Sequence, residues 1–252
     1  MKKNYFIIIA CCLLNFVSSA QNKSIDTLRY MPSDLKFKTS ALIIPTALIG
    51  FGVVGLESHT IKDLNSSTNS EITEHIDQKF TIDDISQYAP FVSVYALNAA
   101  NIIGKHNFRD RTLILGTAYL LMGATVNILK ATSKETRPDK SGNNSFPSGH
   151  TATAFMGAEF LFQEYKDQSI WYGITGYAIA AGTGYFRMYN NRHWLTDIAA
   201  GAGIGILSTK VAYWTHPYLR KLLFKKQEKS FSGIILPTYS ENKLGVGMAF
   251  TF

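Results

Sequence analysis

The sequence predicts an all-α protein, a helical bundle of about six core helices followed by a small C-terminal β-hairpin. Six apolar stretches of helical length recur along the chain, and short connectors rich in Asn, Gly, Pro and charged residues separate them, as helix ends require. Apolar residues make up 46% of the chain and charged residues only 17%, a composition that excludes a disordered protein. The predicted helical stretches cover residues 41–56, 88–103, 111–130, 150–165, 169–186 and 194–214.

The N-terminus has the three-part organisation of a secretory signal peptide. Two lysines precede an apolar run at residues 6–17, and a Ser-Ser-Ala cleavage site follows it. We therefore predict that residues 1–20 are a leader and that the mature protein is exported. Cys11 and Cys12, the two cysteines of the chain, both fall inside this leader, so we expect neither a disulfide nor a cysteine-bound metal in the mature protein. A lipoprotein signal that ends at Cys11 is the alternative.

Three segments follow the leader. Residues 21–84 form a lead-in with one apolar helix and a polar part, residues 85–214 form the helical core, and residues 215–252 combine a basic segment with the hairpin. The β-leaning runs at residues 232–239 and 244–252 predict the two strands of that hairpin. Because a lone hairpin is unstable in water, we expect it to dock on the bundle or, alternatively, to contact another membrane component.

The first cluster of chemical interest runs from Lys130 to Pro138. Lys130 lies near the end of a predicted helix, and Pro138 marks the point where the helical path stops. Lys130 and Arg137 can reach one anion, the arginine as a planar fork of donors and the lysine as a point charge. Basic residues are common at helix ends, so this cluster alone fits an ordinary helix end equally well.

The second cluster runs from Ser145 to His150 and contains the sequence Pro-Ser-Gly-His. Ser148 stands at the expected N-cap of a helix, which leaves the amides of Gly149 and His150 unpaired and pointing outward. Free amides and the positive end of a helix dipole together form an anion site, and His150 lies beside it. A capped helix with an incidental histidine is the alternative interpretation.

The third cluster contains Arg187, His193 and Asp197. His193 and Asp197 are four residues apart and share one helix face, so the carboxylate can bond to one imidazole nitrogen and leave the other as a nucleophile. Arg187 adds a third cation for a bound phosphate. A structural histidine–aspartate pair on one helix is the alternative. Taken together, the three clusters predict one anion-binding, nucleophilic site.

The three clusters resemble the three motifs of the type 2 phosphatidic acid phosphatase superfamily, K-x6-RP, PSGH and SR-x5-H-x3-D. The motifs span residues 130–197, and the similarity of the surrounding helices extends over about residues 85–214. That superfamily includes lipid phosphatases, soluble bacterial class A acid phosphatases and vanadium haloperoxidases. One departure is Phe186, which stands where the family usually has serine.

The resemblance implies a bundle of the phosphatidic acid phosphatase/haloperoxidase type and a mechanism. His193 is implied to attack phosphorus, Asp197 to orient it, and His150 to protonate the leaving oxygen and then activate water. The groups implied to hold the phosphoryl oxygens are Lys130, Arg137, Arg187, Ser148 and the Gly149 amide. Neither a metal nor a cofactor is implied, because cations and amides supply the charge stabilisation that phosphoryl transfer needs.

Two further features are given ordinary structural roles. Asp83 and Asp84 lie outside the motifs, and we predict that they cap a helix N-terminus, with metal-binding carboxylates as the alternative. The basic run at residues 220–229 is either a solvated face or a contact with anionic lipid headgroups.

The predicted function is phosphatase activity outside the cytoplasm, on lipid phosphates or diphosphates or on small phosphomonoesters. The net charge of +7 suits an anionic substrate or a lipid surface, and we expect no nucleic-acid partner. The mean hydropathy of +0.01 is low for a chain built mostly of spans, so we expect a periplasmic bundle, soluble or membrane-associated, with an integral membrane protein as the alternative. A vanadate-dependent haloperoxidase and a non-catalytic envelope protein with a relic site are the alternative functions.

Overall fold

The computed structural model describes residues 38–74 and 78–224, together with the backbone of residues 232–240 and 243–251. The predicted leader and its two cysteines lie outside these residues. Over the described residues the chain forms a short 3-10 helix (Thr39–Leu42), eight α-helices and two strands. The helices are α1 (Ile43–Val54), α2 (His59–Thr73), α3 (Ile82–Ser86), α4 (Ala89–Ala99), α5 (Phe108–Ser133), α6 (Gly149–Tyr165), α7 (Ile170–Tyr189) and α8 (Leu195–Leu223).

The predicted all-α bundle is confirmed for the described residues before position 225. Helix α1 and helices α4 to α8 correspond to the six predicted stretches, and the polar region between the first two stretches contributes α2 and the five-residue α3. Three helices end later than predicted, and one of them is α7, which ends at Tyr189 rather than at residue 186. Helix α5 ends at Ser133, and α8 continues through Pro217 to Leu223.

The ends of four helices carry or adjoin the motif residues, and Arg187 lies in the last turn of α7. Helix α6 begins after Ser148, whose hydroxyl accepts a hydrogen bond from the N–H of Thr151 at 3.4 Å. Helix α8 begins after Trp194, whose N–H donates to the Asp197 carboxylate at 2.8 Å. Helix α5 is followed by its C-cap residue Lys134, which adopts the left-handed conformation with a φ of 49° and turns the chain away from the helix.

Helix α6 lies at the centre of the bundle, buried along nearly its whole length against α4, α5, α7 and α8. Helix α8 approaches it closely because two glycines face it. A Cβ atom at Gly201 would lie 2.5 Å from the carbonyl oxygen of Ser148, and one at Gly205 would overlap the carbonyl oxygen of Ala152. The close contact fixes the starts of α6 and α8 side by side. The apolar core around them includes Val94, Ile114, Met122, Met156, Phe160 and Ile204.

Two of the helices among the described residues are long and apolar enough to cross a membrane. Helix α5 contains a window of mean hydropathy 1.7 of which only 22% is buried, and α8 contains one of 1.2 of which 67% is buried. Residues 39–54 and 59–73 are long and apolar enough to cross a membrane only when they are taken together, and the two helices are bent by 95° at the break between them. If this bent pair is one span, the described residues hold three candidate spans. Helix α5 turns Leu120 and Ile128 outward, with 75% and 63% of their surfaces exposed. An apolar outer face of this length indicates a membrane-associated chain rather than a soluble one.

The last described residues form an antiparallel pair of strands, β1 (Ser232–Ser240) and β2 (Lys243–Thr251). The register places Ser240 opposite Lys243 and Ser232 opposite Thr251. The surface to which this hairpin docks stays a prediction.

Candidate active site

The three motif clusters meet at one end of the bundle, where α5 and α7 end and α6 and α8 begin. The N–H of Ser148 donates to the carbonyl oxygen of Asp197 at 3.1 Å, which joins the starts of α6 and α8. The N–H of Asp139 donates to the carbonyl oxygen of Asn191 at 3.2 Å, which joins the α5–α6 loop to the end of α7. Residues far apart in sequence are thereby brought to a common site.

The His193–Asp197 pair is buried within this site. Nδ1 of His193 lies 3.4 Å from Oδ2 of Asp197, and 2% and 0% of the two side chains are exposed. The hydroxyl of Ser145 and the N–H of Trp194 both donate to the same carboxylate oxygen, which holds it in place. Burial lowers the pKa of His193 to about 4, and the cations Arg187 and Lys130 act in the same direction, whereas Asp197 opposes them. The imidazole is therefore neutral near pH 7, and Asp197 engages its Nδ1 rather than its Nε2.

Arg187 is held by a carboxylate that does not belong to the motifs. Its Nη1 atom donates to Oδ2 of Asp83 at 2.6 Å, and Oδ1 of Asp83 accepts from the side chain of Asn190 at 2.9 Å. Arg187 and Asp83 are both buried. The Nε atom of Arg187 is buried and has no hydrogen-bond partner among the described residues. This guanidinium is fixed on one side and keeps a donor for an anion.

His150 is paired with the neighbouring carboxylate. Its Nε2 lies 2.9 Å from Oδ1 of Asp84, and Nη1 of Arg187 lies 3.9 Å from the same oxygen. Burial, followed by the charge of Arg187, lowers the pKa of His150, and Asp84 opposes that shift. Arg187 thus acts on both His150 and His193, which supports a single site for the two imidazoles.

The capping role predicted for Asp83 and Asp84 needs correction. Both residues lie in the first turn of α3, but the N-cap position belongs to Thr81, and the two carboxylates bond to Arg187 and His150. The sequence did contain a signal for this pairing, because two adjacent acidic residues occur in a chain whose motifs supply mostly cations. Spacing could not reveal the pairing, because the partners lie 104 and 66 residues away.

Lys130 and Arg137 meet at Asn144, the residue before Ser145. Nζ of Lys130 donates to the carbonyl oxygen of Asn144 at 2.5 Å, and Nε of Arg137 donates to its side-chain oxygen at 2.9 Å. Burial, and then repulsion by Arg187 and Arg192, lowers the pKa of Arg137. Cations crowded closely enough to repel one another favour a bound anion.

Ser148 and Gly149 differ in what they offer to an anion. The Ser148 side chain is fully buried, and its hydroxyl bonds to the hydroxyl of Thr151 at 2.9 Å. Its N–H donates to the carbonyl oxygen of Asp197. The structure therefore shows Ser148 as a helix cap, and its contact with a phosphate stays a prediction. Gly149 is the first residue of α6 and only half-buried, and a first-turn N–H has no partner within its own helix. The Gly149 amide is therefore the donor that the helix end presents.

Asp83, Asp84 and His150 also bring three potential metal ligands within 4.8 Å of one another. Arg187 already lies 2.6 Å from Asp83 and supplies the positive charge that a cation would bring. A metal ion would face the guanidinium at close range, so these residues fit an arginine-neutralised carboxylate better than a metal site.

Aromatic rings cluster near the end of α7, the helix whose last turn carries Arg187. Phe186, which occupies the position of the family serine, is half-buried, and its ring lies 5.8 Å from that of Tyr185 and 5.9 Å from that of Tyr189. The ring of Phe80 lies 5.9 Å from Tyr189. The residue before Arg187 therefore contributes an apolar ring rather than a hydroxyl group.

Fold and site together define an all-α bundle that gathers imidazoles, guanidinium groups and a helix N-terminus at one end. Residues 111–221 match the model of the PAP2 superfamily. The matched segment contains all three motifs, so the match confirms the resemblance drawn from them.

Two relatives of known sequence are similar to this chain. The lipid A 1-phosphatase of Porphyromonas gingivalis is 36% identical over 172 residues, which cover 64% of this chain and 38% of the relative. The bacitracin transport permease protein BcrC of Bacillus licheniformis is 35% identical over 77 residues, which cover 31% of this chain and 36% of that protein. The chain thus spans little more than a third of the length of each relative.

Two crystal structures are also similar. LpxE of Aquifex aeolicus is 24% identical, with a TM-score of 0.45, over 59% of this chain and 94% of that one. The transmembrane PAP2-type phosphatidylglycerolphosphate phosphatase of Bacillus subtilis is 20% identical, with a TM-score of 0.49, over 74% of this chain and 98% of that one.

Proposed function

We propose that the chain is a metal-independent lipid phosphatase that works through a phosphohistidine at His193. One observation carries the proposal: a buried, neutral imidazole, oriented by Asp197, lies within the electrostatic reach of Arg187 and Lys130. A neutral imidazole is a nucleophile, and the surrounding cations stabilise the charge that develops on the phosphoryl oxygens.

In the first step, Nε2 of His193 attacks the phosphorus atom of the ester. The P–N bond forms as the P–O bond to the leaving group breaks, and protonated His150 gives its proton to the leaving oxygen. Arg187, Lys130 and Arg137 bind the phosphoryl oxygens, and the Gly149 amide adds a neutral donor.

In the second step, His150, now neutral, removes a proton from water. The water oxygen forms a bond to phosphorus as the P–N bond breaks. Inorganic phosphate leaves, His193 returns to its neutral form, and His150 is protonated again.

The substrate class proposed is a phosphorylated membrane lipid with a monoester or diphosphate at its headgroup, such as lipid A 1-phosphate. Two observations support it. The outer face of α5 is apolar, and the motif residue Lys130 lies in its last turn, so a site at the end of a span meets the headgroup region. The lipid A 1-phosphatase of Porphyromonas gingivalis is also a relative of this chain.

We further propose that the bundle is integral to the membrane and that the site faces the periplasm. The candidate spans support insertion, and the predicted leader supports export.

The test is release of inorganic phosphate by the purified full chain in detergent. The substrates are lipid A 1-phosphate, phosphatidylglycerol phosphate, phosphatidic acid, undecaprenyl diphosphate and a soluble phosphomonoester. We expect His193→Ala to lower kcat on the preferred lipid by at least about 10⁴-fold, because it removes the nucleophile. His59→Ala, an exposed histidine at the start of α2, is the matched control and should retain full activity.

Two results would contradict the proposal. Loss of activity in EDTA that zinc or magnesium restores would show a metal mechanism. Halide oxidation after reconstitution with vanadate, without phosphate release from any donor, would show a haloperoxidase instead.

A further inference from the structure

Helix α3 places two neighbouring carboxylates in different surroundings. The Asp83 side chain is 1% exposed and bonds to Arg187 and Asn190, so both of its oxygens are occupied. The Asp84 side chain is 56% exposed, and its Oδ1 lies 2.9 Å from Nε2 of His150. The first carboxylate neutralises a buried guanidinium, whereas the second meets an imidazole that remains 30% exposed.

The pairing of His150 is the counterpart of the pairing of His193. Asp197 holds His193 by Nδ1 and leaves Nε2, whereas Asp84 holds His150 by Nε2 and leaves Nδ1. Each imidazole therefore keeps one nitrogen for a bound phosphate ester. The two carboxylates come from different helices, α8 and α3.

We propose that Asp84 is a positioning residue for His150, whose carboxylate orients the ring and stabilises the imidazolium that protonates the leaving oxygen. The inference rests on the proposed phosphatase function and adds a residue to it that lies outside the three motifs. In the first half-reaction the proton on Nδ1 moves to the leaving oxygen as the P–O bond breaks. In the second, Nδ1 accepts a proton from the attacking water, and the negative charge of Asp84 stabilises the imidazolium that forms again.

The charges around His150 explain why such a partner is needed. Arg187 on α7 faces His150 and disfavours its protonated form, as does partial burial. Asp83 and Asp84 on α3 oppose this effect, but Asp83 is engaged with Arg187 at 2.6 Å. Asp84 is thus the carboxylate that bonds to the imidazole itself, in a site whose other motif charges are mostly positive.

The first test is the pH dependence of phosphate release by wild type, Asp84→Asn, Asp84→Glu and Asp63→Asn. Asp63 is exposed on α2 and serves as the matched Asp→Asn control. We expect Asp84→Asn to lower kcat by roughly 10-fold or more with KM within about a factor of two, because the lost interaction acts on proton transfer. The alkaline limb of the profile should move to lower pH by roughly half a unit, the size expected for a partly exposed pair. Asp84→Glu should restore part of kcat, and Asp63→Asn should match wild type.

The second test does not depend on turnover. Histidine-labelled protein in detergent is titrated by NMR, with the His150 signal assigned from the spectrum of His150→Gln. The pKa of His150 should fall in Asp84→Asn, because the carboxylate that favours the protonated ring is lost, and it should stay unchanged in Asp63→Asn. If the wild type is inactive on every donor and this shift is present, the proposed phosphatase function fails while the pairing stands. If the wild type is active and neither the profile nor the NMR pKa moves, the role of Asp84 fails alone.

Two other outcomes also overturn the proposal. A rise in kcat/KM of Asp84→Asn, with tighter inhibition by inorganic phosphate or vanadate, would mean that Asp84 occupies the phosphate position and competes with the substrate. Activity that EDTA abolishes in wild type and zinc restores would mean that Asp83, Asp84 and His150 are metal ligands.

Discussion

Replacing Asp83 with Asn tests whether the buried carboxylate holds Arg187 in place. The substitution preserves the side-chain volume but removes the charge that lies 2.6 Å from the guanidinium, and both groups are more than nine-tenths buried. Breaking a buried ion pair by removing one partner costs about 3–5 kcal/mol, because the remaining charge is left uncompensated. Asp84, 3.9 Å from the same nitrogen, offsets part of this loss, so we expect a decrease of about 3 kcal/mol in the free energy of unfolding.

The neighbouring substitution Asp84→Asn is the control. Its side chain is 56% exposed, and an exposed pair contributes less than about 1 kcal/mol. For a chain of this size, about 1 kcal/mol corresponds to a change of roughly 2–4 °C in Tm. We therefore expect Asp83→Asn to lower Tm by roughly 6–12 °C and Asp84→Asn by no more than about 4 °C.

The measurement is thermal unfolding of the full chain in detergent, followed by tryptophan fluorescence at one scan rate for all variants. A Tm of Asp83→Asn within about 2 °C of wild type would refute the clamp on Arg187. An equal decrease in the Tm of both variants would also refute the clamp, because a buried carboxylate should contribute more to stability than its exposed neighbour.

Three further predictions follow from the geometry. On the acid side of the pH profile, kcat/KM should decrease at about pH 4 rather than near pH 6.5. The reason is that burial lowers the pKa of His193 to about 4 and only the neutral ring attacks. A decrease near pH 6.5 would contradict this. Gly201→Ala should lower the free energy of unfolding by about 1–3 kcal/mol, because the new Cβ would lie 2.5 Å from the carbonyl oxygen of Ser148. Gly182 has open space around it, so Gly182→Ala should be neutral or slightly stabilising in the same thermal assay. Phe186→Ser should lower the affinity for lipid substrates more than the affinity for a soluble phosphomonoester, because it removes an apolar ring next to Arg187 in the sequence. Equal changes in KM for both substrates would argue against a contact between Phe186 and the lipid.

The helices were predictable because their signal is local. Apolar stretches of helical length, separated by polar connectors, predicted α1 and α4 to α8. Boundaries were less accurate. Helix α8 continues past Pro217, although proline disfavours a helix interior, and its last turns include His216, which is buried near Asp110. Tertiary packing thus extends this helix beyond the point that local preference suggests.

The motifs predicted which residues gather at the site, but not the hydrogen bonds that orient them. Spacing of four residues was enough to predict the His193–Asp197 pair, because both members lie on one helix. The partners of Arg187 and His150 come from α3, a five-residue helix in a polar segment that gives no periodic signal. Ser148 illustrates the same limit: its position predicted a helix cap, whereas burial of its hydroxyl against Thr151 depends on how α6 packs.

Burial divides the two imidazoles into different chemical roles. His193 is 2% exposed beside an aspartate that is itself fully buried, so desolvation outweighs the attraction of the carboxylate and the ring stays neutral. His150 keeps 30% of its surface and a partner that is 56% exposed, so water helps to stabilise its charged form. The same pair of residue types therefore gives two different environments, which suit the nucleophile and the proton donor that we propose. Because Arg187 opposes protonation of both rings, the difference between them comes from solvent exposure, from the carboxylates of α3 and α8, and from Lys130, which acts on His193 alone.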